Sequence, residues 1–170
     1  MAAEGLASIT QYLTFRLGDE VFALDISTVR EVLDFTSVTK VPRTPASMRG
    51  VINLRGTVVP VIDLRIKFGM TAAERTVNTC VIITETLIDG EMTVLGVLVD
   101  SVQEVLDLGA DAVLPPPRIG TGLRTEGISG MAGQNDRFVI ILDIEQVFSA
   151  DPIALLQTGH AAQNEAGLTV

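Results

Sequence analysis

The segment VINLRGTVVPVIDLRIKF, residues 51–68, carries the strongest structural signal in the chain. Two apolar runs rich in β-branched residues flank Arg55-Gly56-Thr57, and a glycine between such runs accepts the positive φ that a tight turn needs. The segment predicts a β-hairpin whose rigid turn presents Arg55, either to a partner or simply to solvent, since both are common for charged loop residues. Pro60 has no N–H for a ladder, so its strand is expected at a sheet edge or with a bulge.

The end of the same segment predicts a short helix. Asp63 can N-cap one turn over residues 64–68, with Arg65 and Lys67 in the last turn, where cations suit the helix dipole. Gly69 then provides the stop. A hairpin followed directly by a capped helical turn leaves the loop around Arg55 little backbone freedom.

The composition is that of a globular protein. The chain has 170 residues, enough for one domain or two small ones, with 47% hydrophobic and 19% charged residues. Charged residues or glycines interrupt every apolar run before the roughly 18 residues that a membrane span needs. The N-terminal MAAEGLASIT lacks the basic and apolar regions of a signal peptide, so we expect a cytoplasmic protein. The single cysteine, Cys80, is expected to be a buried small hydrophobe and not a reactive thiol.

The net charge of −9 disfavours nucleic acid and anionic lipid as partners. The positive charge is concentrated, however: six of the twelve basic residues lie between positions 40 and 67, where only Asp63 opposes them. These six are Lys40, Arg43, Arg49, Arg55, Arg65 and Lys67. A local positive face on an acidic protein suits a protein partner that carries carboxylates.

Two internal repeats indicate a tandem duplication. Residues 21–34 align with 94–107 at an offset of 73, and residues 58–68 align with 138–148 at an offset of 80. Each copy predicts about five strands, too few for an open sheet with its own core, so two small packed β-barrels are expected. The run 25–33 remains ambiguous between a strand and a short helix capped by Ser27 or Thr28. The second copy has MAGQ at 131–134 in place of the basic hairpin.

Residue types that support catalysis are scarce. The only histidine is His160, which removes histidine-dependent triads and most zinc sites. The aspartates at strand ends, four of them paired by the repeat, are expected to be caps and turns and not a catalytic pair; these are Asp25, Asp34, Asp63, Asp100, Asp107 and Asp143. The run GTGLRTEG lacks the GK[ST] ending of a phosphate loop. We therefore predict no enzyme, no cofactor and no metal site.

The motifs, taken together, resemble the CheW family of coupling proteins of bacterial chemotaxis. The resemblance covers residues 11–156 and rests on LGDE at 17–20, VREV at 29–32, NLRG at 53–56, VVPVIDLR at 58–65, GVLVDSVQEVL at 96–106 and RFVIILDIEQVF at 137–148. It implies an all-β fold of two packed five-stranded, SH3-like β-barrels with short helices. No length remains for a receiver domain or an ATP-binding kinase body.

The residues and the resemblance together predict a division of the chain. We expect a flexible N-terminus at 1–10, a CheW-like domain at 11–156, a C-terminal helix at 151–159 and a frayed tail at 160–170. Within the domain, 11–20 and 21–75 are assigned mainly to the first barrel and 76–148 mainly to the second, with an exchange of strands left open. Asp151 as N-cap, Pro152 at the first helical position and Gly159 as the stop support the C-terminal helix.

The function implied is that of a non-enzymatic adaptor between chemoreceptor cytoplasmic tips and the histidine kinase CheA, recruited to receptor arrays without entering the membrane. The implied receptor-binding residues are Val29, Glu31, Arg55, Gly56, Val102 and Val105. The implied kinase-binding residues are Val38, Val41 and Gly50. Cys80 departs from the aliphatic residue usual near the family's groove.

Two other readings stay open. One is a CheW-like scaffold for another chemosensory kinase pathway, such as twitching motility or gene regulation. The other is a small-ligand-binding protein or enzyme that uses the seam between the barrels as a pocket, which a ligand-dependent rise in melting temperature would reveal.

Overall fold

Ten strands and two short helices make up the regular structure of the described residues. The computed structural model describes residues 9–35, 37–116, 127–134 and 136–149. The strands are β1 (Thr10–Leu17), β2 (Glu20–Asp25), β3 (Val29–Asp34), β4 (Met48–Leu54), β5 (Thr57–Asp63), β6 (Cys80–Ile88), β7 (Glu91–Val99), β8 (Ser101–Leu108), β9 (Ile128–Gln134) and β10 (Arg137–Leu142), and the helices are α1 (Leu64–Lys67) and α2 (Ile144–Ser149). The ambiguous run resolves into a 3-10 turn, Ile26–Thr28, capped by Asp25, followed by strand β3.

The strands form two five-stranded sheets with the same topology. The sheet that we call barrel A has the order β8-β1-β2-β10-β9, and barrel B has the order β3-β6-β7-β5-β4. Each sheet is built on a central antiparallel hairpin, β1–β2 in barrel A and β6–β7 in barrel B. The first strand of this hairpin pairs antiparallel with an edge strand, β8 or β3. Its second strand pairs parallel with the last strand of a second hairpin, β10 or β5. The expected pair of SH3-like barrels from a duplicated unit is thereby confirmed.

The strands are exchanged between the two copies. The repeated unit is a hairpin followed by three strands, which gives β1 to β5 in the first copy and β6 to β10 in the second. Barrel A joins hairpin β1–β2 to the last three strands of the second copy, and barrel B joins hairpin β6–β7 to the last three of the first. The assignment of 11–75 mainly to one barrel and 76–148 mainly to the other is therefore replaced by a reciprocal exchange, with crossovers at residues 25–29 and at Asp100.

Each sheet curls until a residue beyond its edge strand meets the opposite edge. Thr39, after β3, exchanges backbone hydrogen bonds of 2.8 and 2.9 Å with Val51 in β4. Leu114, after β8, makes the same bridge to Met131 in β9, at 2.8 and 2.9 Å. These two bridges pair otherwise free sheet edges and close the barrels.

Side chains alternate along the strands between a barrel interior and the space between the barrels. Barrel B encloses Val59, Val61, Val81, Ile83 and Leu98, and barrel A encloses Ala23, Ala132, Val139 and Ile141. The largest cluster draws on both barrels and on both helices, so it forms the contact between the barrels. We call it the inter-barrel cluster; its members include Phe15, Leu17, Phe22, Leu24, Ile62, Leu64, Ile82, Val97, Val99, Leu142 and Phe148.

The predicted hairpin and helix at 51–68 are both present. Arg55 and Gly56 form a two-residue turn with φ of 50° and 88°, the positive values of a hairpin-type turn, and the Asn53 side chain accepts a 2.8 Å hydrogen bond from the Gly56 N–H. Asp63 caps α1 by accepting a 3.0 Å bond from the Arg65 N–H. These features depend on local sequence, which is why the sequence predicts them.

The expectation for Pro60 is wrong in its details. Strand β5 is internal to barrel B, and the register is regular at Pro60, whose partner is Val51; the bulge of β4 lies instead between Met48 and Gly50. Val51 directs its own N–H and C=O away from β5, toward Thr39. The Val51–Pro60 pair is therefore a non-hydrogen-bonded one, and pairing of β5 with β7 starts only at Val61, so no ladder bond needs a Pro60 N–H.

The predicted C-terminal helix at 151–159 and tail at 160–170 lie outside the described residues. Within the part of the chain that is described, no helix has the length and apolar character needed to cross a membrane.

Candidate functional site

One end of barrel B brings the turn arginine onto an edge strand. The Arg55 guanidinium donates to the Glu31 carboxylate and forms an ion pair that joins the β4–β5 turn to β3, two opposite edges of the same sheet. The Arg55 side chain is 68% exposed and that of Glu31 28% exposed. Hydrogen bonding to Glu31 raises the pKa of Arg55 above its ordinary value, so the guanidinium stays charged. We call this end of the barrel, with its ion pair, the barrel B mouth.

Barrel A has the same contact with an uncharged donor in place of the arginine. Glu104 occupies the position of Glu31 in the repeat, and its carboxylate accepts a 3.2 Å hydrogen bond from the Gln134 side chain at the end of β9. The sequence indicated that the second copy lacks the basic hairpin, but not that Gln134 replaces the arginine as the partner of Glu104. A partner can thus distinguish the two barrels by charge.

The four valines paired by the repeat lie on the sides of β3 and β8 that face the inter-barrel cluster. Val29 and Val102 are half-buried against that cluster. Val32 and Val105 are 40% and 45% exposed, and their strand partners are Ile82 and Leu13, both members of the cluster. An apolar strip therefore reaches the surface on an edge strand of each barrel.

The structure does not place all the expected receptor-binding residues on one face. The register of β3 shifts between Val29 and Glu31, so the two residues lie on different faces of the strand. Val29 is paired with Thr84, whereas Glu31 is paired with Ile83, whose side chain lies in the interior of barrel B. Val29, Val102 and Val105 accordingly face the seam between the barrels. Glu31 belongs with Arg55 and Gly56 at the barrel B mouth.

The expected kinase-binding residues all lie in or beside barrel B. Val38 packs against the barrel interior, and Val41 lies 36% exposed in the following loop. Gly50 is buried, with φ of 149°, and a Cβ at that position would lie 2.4 Å from the Thr39 carbonyl oxygen. A cleft of about 320 Å³ opens beside them, lined by residues that include Leu33, Phe35, Val38, Val51 and Ile52.

The positive face expected at residues 40–67 is smaller than the sequence indicates. The fold brings acids from other segments to this region, so Arg55 pairs with Glu31 and Arg65 with Asp100, while Arg49 pairs with Asp63 at 3.0 Å. Of the six basic residues, Lys40 and Arg43 make no salt bridge or side-chain hydrogen bond within the described ranges. The uncompensated positive charge therefore lies in the loop around Val41.

A second charged cluster joins the two barrels. Asp100 stands at the crossover from β7 to β8, and its carboxylate accepts two hydrogen bonds from Arg65 of α1, from Nε at 2.8 Å and from Nη2 at 2.6 Å. It also accepts a 2.7 Å bond from the Gly18 N–H in the β1–β2 turn, and the Asp100 N–H donates to the Arg16 carbonyl at 3.0 Å. One carboxylate thus contacts barrel B through Arg65 and barrel A through Gly18. We call this group the Asp100 clasp.

The Asp100 clasp predicts an acid-sensitive contribution to stability. Hydrogen bonding from Arg65 holds the pKa of Asp100 below its usual range, so its contribution is complete above the unfolded-state pKa of about 3.9 and is lost as pH falls through the lower folded-state value. Asp100→Asn should lower the free energy of unfolding by about 1–2 kcal/mol at pH 7. This is the value for a hydrogen bond to a charged group, reduced because the Asp100 side chain is partly exposed. Urea unfolding is measured at pH values from 7 to 2.5. The difference in the free energy of unfolding between wild type and Asp100→Asn should become smaller only below about pH 4.

Asp107→Asn is the matched control for this prediction. Asp107 is exposed and accepts a single 3.1 Å bond from Gln11, so its replacement should have little effect at any pH. A difference between wild type and Asp100→Asn that stays constant down to pH 2.5 would contradict the assignment.

Asp25, Asp63 and Asp143 serve turns and helix ends, as the sequence predicts, whereas Asp107 lies within β8 and bonds to Gln11 on the neighbouring strand. Asp25 accepts a 2.9 Å bond from the Ser27 N–H, and Asp143 accepts a 3.0 Å bond from the Glu145 N–H at the start of α2. In the described part of the chain, no group of three or more His, Cys, Asp or Glu side chains is arranged to hold a metal ion.

Cys80 behaves as a half-buried hydrophobe. It packs against the inter-barrel cluster, and its thiol donates to the Asn78 carbonyl at 3.1 Å. Burial raises the pKa of the Cys80 thiol, which reduces the thiolate fraction at neutral pH.

Comparison with known proteins agrees with this architecture. Residues 11–151 match the family described as "CheW-like domain". The chain is 37% identical over 146 residues to the chemotaxis protein CheW of Klebsiella aerogenes, covering 86% of each chain. It is 29% identical over 139 residues to protein FrzA of Myxococcus xanthus, covering 81% of this chain and 84% of that one. The crystal structure of the scaffolding protein CheW from Thermoanaerobacter tengcongensis aligns with a TM-score of 0.72 and 34% identity, covering 84% of this chain and 94% of that chain. On this evidence the chain belongs to the CheW-like family of chemotaxis scaffold proteins.

Proposed function

We propose that this chemotaxis adaptor binds the cytoplasmic tip of a chemoreceptor with one surface and a CheA-type histidine kinase with another. The observation that carries the proposal is the apolar strip at the seam. Exposed Val32 and Val105 extend the inter-barrel cluster to the surface on both barrels, next to half-buried Val29 and Val102. Exposed apolar surface that continues a core in this way is typical of a protein-binding site.

A helical receptor tip suits this seam. An amphipathic helix can lay its apolar face on Val29, Val102 and Val105. Glu31 and Arg55 at the barrel B mouth supply charges of both signs next to Gly56, and such charges fix the register of a partner more than they add affinity.

The kinase is assigned to the other surface of barrel B. Val38 lines the cleft between β3 and β4, and Gly50 directly precedes the cleft residue Val51 in β4. Val41 lies in the loop that follows β3, where Lys40 and Arg43 add positive charge that no acid of the described chain balances. A kinase face that presents carboxylates beside apolar residues is complementary to this loop. In this scheme the protein acts by bringing its partners together and performs no catalytic step.

Recruitment places the adaptor at the inner face of the membrane, in receptor arrays, through protein contacts alone. A second candidate is a scaffold of the same kind for another chemosensory kinase pathway, such as twitching motility or gene regulation. The same two surfaces serve both candidates, so the identity of the cognate kinase separates them.

Reconstitution tests the proposal directly. The autophosphorylation rate of a cognate CheA-type kinase is measured with receptor-containing membranes, with and without this protein. We expect a large rise on addition of the protein, and no rise when either the receptor or the adaptor is left out. A folded adaptor that changes nothing with the kinases of its own cell would contradict the proposal.

A further inference from the structure

The two crossovers between the barrels differ although the repeat makes them equivalent. Asp100 at the β7–β8 crossover makes hydrogen bonds to both barrels, through Arg65 and Gly18. At the β2–β3 crossover, the corresponding position at an offset of 73 is Ser27, whose N–H and hydroxyl both donate to Asp25 within the same turn, at 2.9 and 2.8 Å. Of the two crossovers, only the one at Asp100 thus carries a bidentate ion pair that joins the barrels.

The remaining contact between the barrels is largely apolar. The inter-barrel cluster keeps the barrels together, but hydrophobic burial is non-directional and tolerates small sliding and rotation of packed layers. A bidentate arginine–carboxylate pair has a fixed planar geometry, which apolar packing lacks. The clasp is also well placed to restrain the angle, because Arg65 is in the first turn after β5 and Gly18 is in the turn of the central hairpin of barrel A.

From this asymmetry we infer that Asp100 and Arg65 are positioning residues that fix the angle between the barrels and thereby the geometry of the receptor-binding seam. The inference rests on the proposed function only for the last step. The valines of the seam come from both barrels, Val29 and Val32 from barrel B and Val102 and Val105 from barrel A. The proposed kinase surface, by contrast, lies in or beside barrel B alone.

The seam is built from both barrels and the proposed kinase surface from one, so a change of the angle between the barrels should affect the two surfaces differently. A change of the angle between the barrels alters the seam but leaves a surface on one barrel intact. Loss of the clasp should therefore weaken binding of a receptor tip and spare binding of the kinase. General destabilisation of the fold would weaken both.

The angle can be measured without any partner. Spin labels at Val58→Cys in barrel B and Phe138→Cys in barrel A, 69% and 53% exposed, report the distance between the barrels in a Cys80→Ser background. We expect Asp100→Asn and Arg65→Lys to broaden and shift the distance distribution measured by pulsed electron paramagnetic resonance. Asp25→Asn, at the other crossover, is the matched control and should leave the distribution unchanged.

The same variants are then tested for binding. Affinity for a soluble receptor-tip fragment should fall on the order of tenfold in Asp100→Asn and in Arg65→Lys, with affinity for the kinase regulatory domain unchanged. Asp100→Asn retains an oxygen that can accept from the Gly18 N–H, and Arg65→Lys retains the charge, so both variants are expected to fold.

The outcomes are separable. An unchanged distance distribution in both variants overturns the inference, whatever happens to binding. A broadened distribution with unchanged receptor affinity overturns the link to the seam, and equal losses toward receptor and kinase assign the clasp to stability alone. If the unsubstituted protein binds no receptor tip, the proposed function fails while the distance measurement still decides whether the clasp sets the angle.

Discussion

Replacing Arg55 by glutamate is expected to abolish recruitment of the protein to receptor-containing membranes while leaving it folded. The substitution puts a second carboxylate beside Glu31, so the ion pair at the barrel B mouth becomes a repulsion. A charge reversal at an anchor residue costs on the order of 2 kcal/mol or more in binding, which is about 30-fold in affinity. The Arg55 side chain is 68% exposed, so the core is not disturbed. Co-sedimentation with receptor-containing membranes measures the loss, and thermal unfolding verifies the fold.

Two further variants make this experiment specific. Arg137→Glu reverses the charge of an exposed arginine on barrel A, whose guanidinium donates to the Asp19 carbonyl, and it should not affect recruitment. Arg55→Gln copies onto barrel B the contact that the uncharged Gln134 amide makes with the Glu104 carboxylate in barrel A, and it should cause a partial loss. Wild-type recruitment by a folded Arg55→Glu protein would remove the barrel B mouth from the receptor interface.

The sequence predicts local features of this fold well because neighbouring residues determine them. The turn at Arg55 and Gly56 and the helix capped by Asp63 depend on a few adjacent side chains, and both are present. The duplication is also visible, because each copy has the same order of elements. Two barrels from ten strands follow from that repeat.

The exchange of strands between the copies could not be predicted in this way. Both repeats have the same pattern, so the alternation of residues 21–34 and 94–107 fits pairing within one copy as well as pairing between copies. The choice depends on the parallel pairs β2–β10 and β5–β7, which join residues far apart in the chain. The mistaken expectation for Pro60 has the same origin, since the bridge from Thr39 to Val51 is what makes its missing N–H harmless.

The candidate site was partly predictable for a related reason. Arg55 has a strong local signal, and the family resemblance identifies the valines of β3 and β8. Asp100 has no such signal, because an aspartate at the end of a strand usually caps a turn; only the fold shows that Arg65 and Gly18 converge on it. The offset of 80 that pairs Gly50 with Gly130 is present in the sequence, and it could have identified the closing positions of both barrels.

Gly50→Ala is expected to destabilise the protein by about 3 kcal/mol or more. An alanine Cβ would lie 2.4 Å from the Thr39 carbonyl oxygen, and φ of 149° is strained for any residue with a side chain. Relief of the clash must move Thr39 away from Val51 and so break the bridge that closes barrel B, which adds lost hydrogen bonds to the strain. For a chain of this length the melting temperature should fall by about 6–12 °C, measured by thermal unfolding.

Comparison with two other glycines shows whether barrel closure is the cause. At Gly130, the equivalent position of barrel A, a Cβ would lie 2.9 Å from the Leu114 carbonyl oxygen and 2.5 Å from a Val113 methyl group, so Gly130→Ala should be similarly costly. At Gly133, on the same strand as Gly130, a Cβ meets nothing within 4 Å, so Gly133→Ala should be nearly neutral.

Because Gly50 is also a proposed kinase contact, kinase binding by Gly50→Ala must be measured well below its melting temperature. A variant of unchanged stability that fails to bind the kinase would show that Gly50 is needed for the contact itself, and would contradict its role in barrel closure.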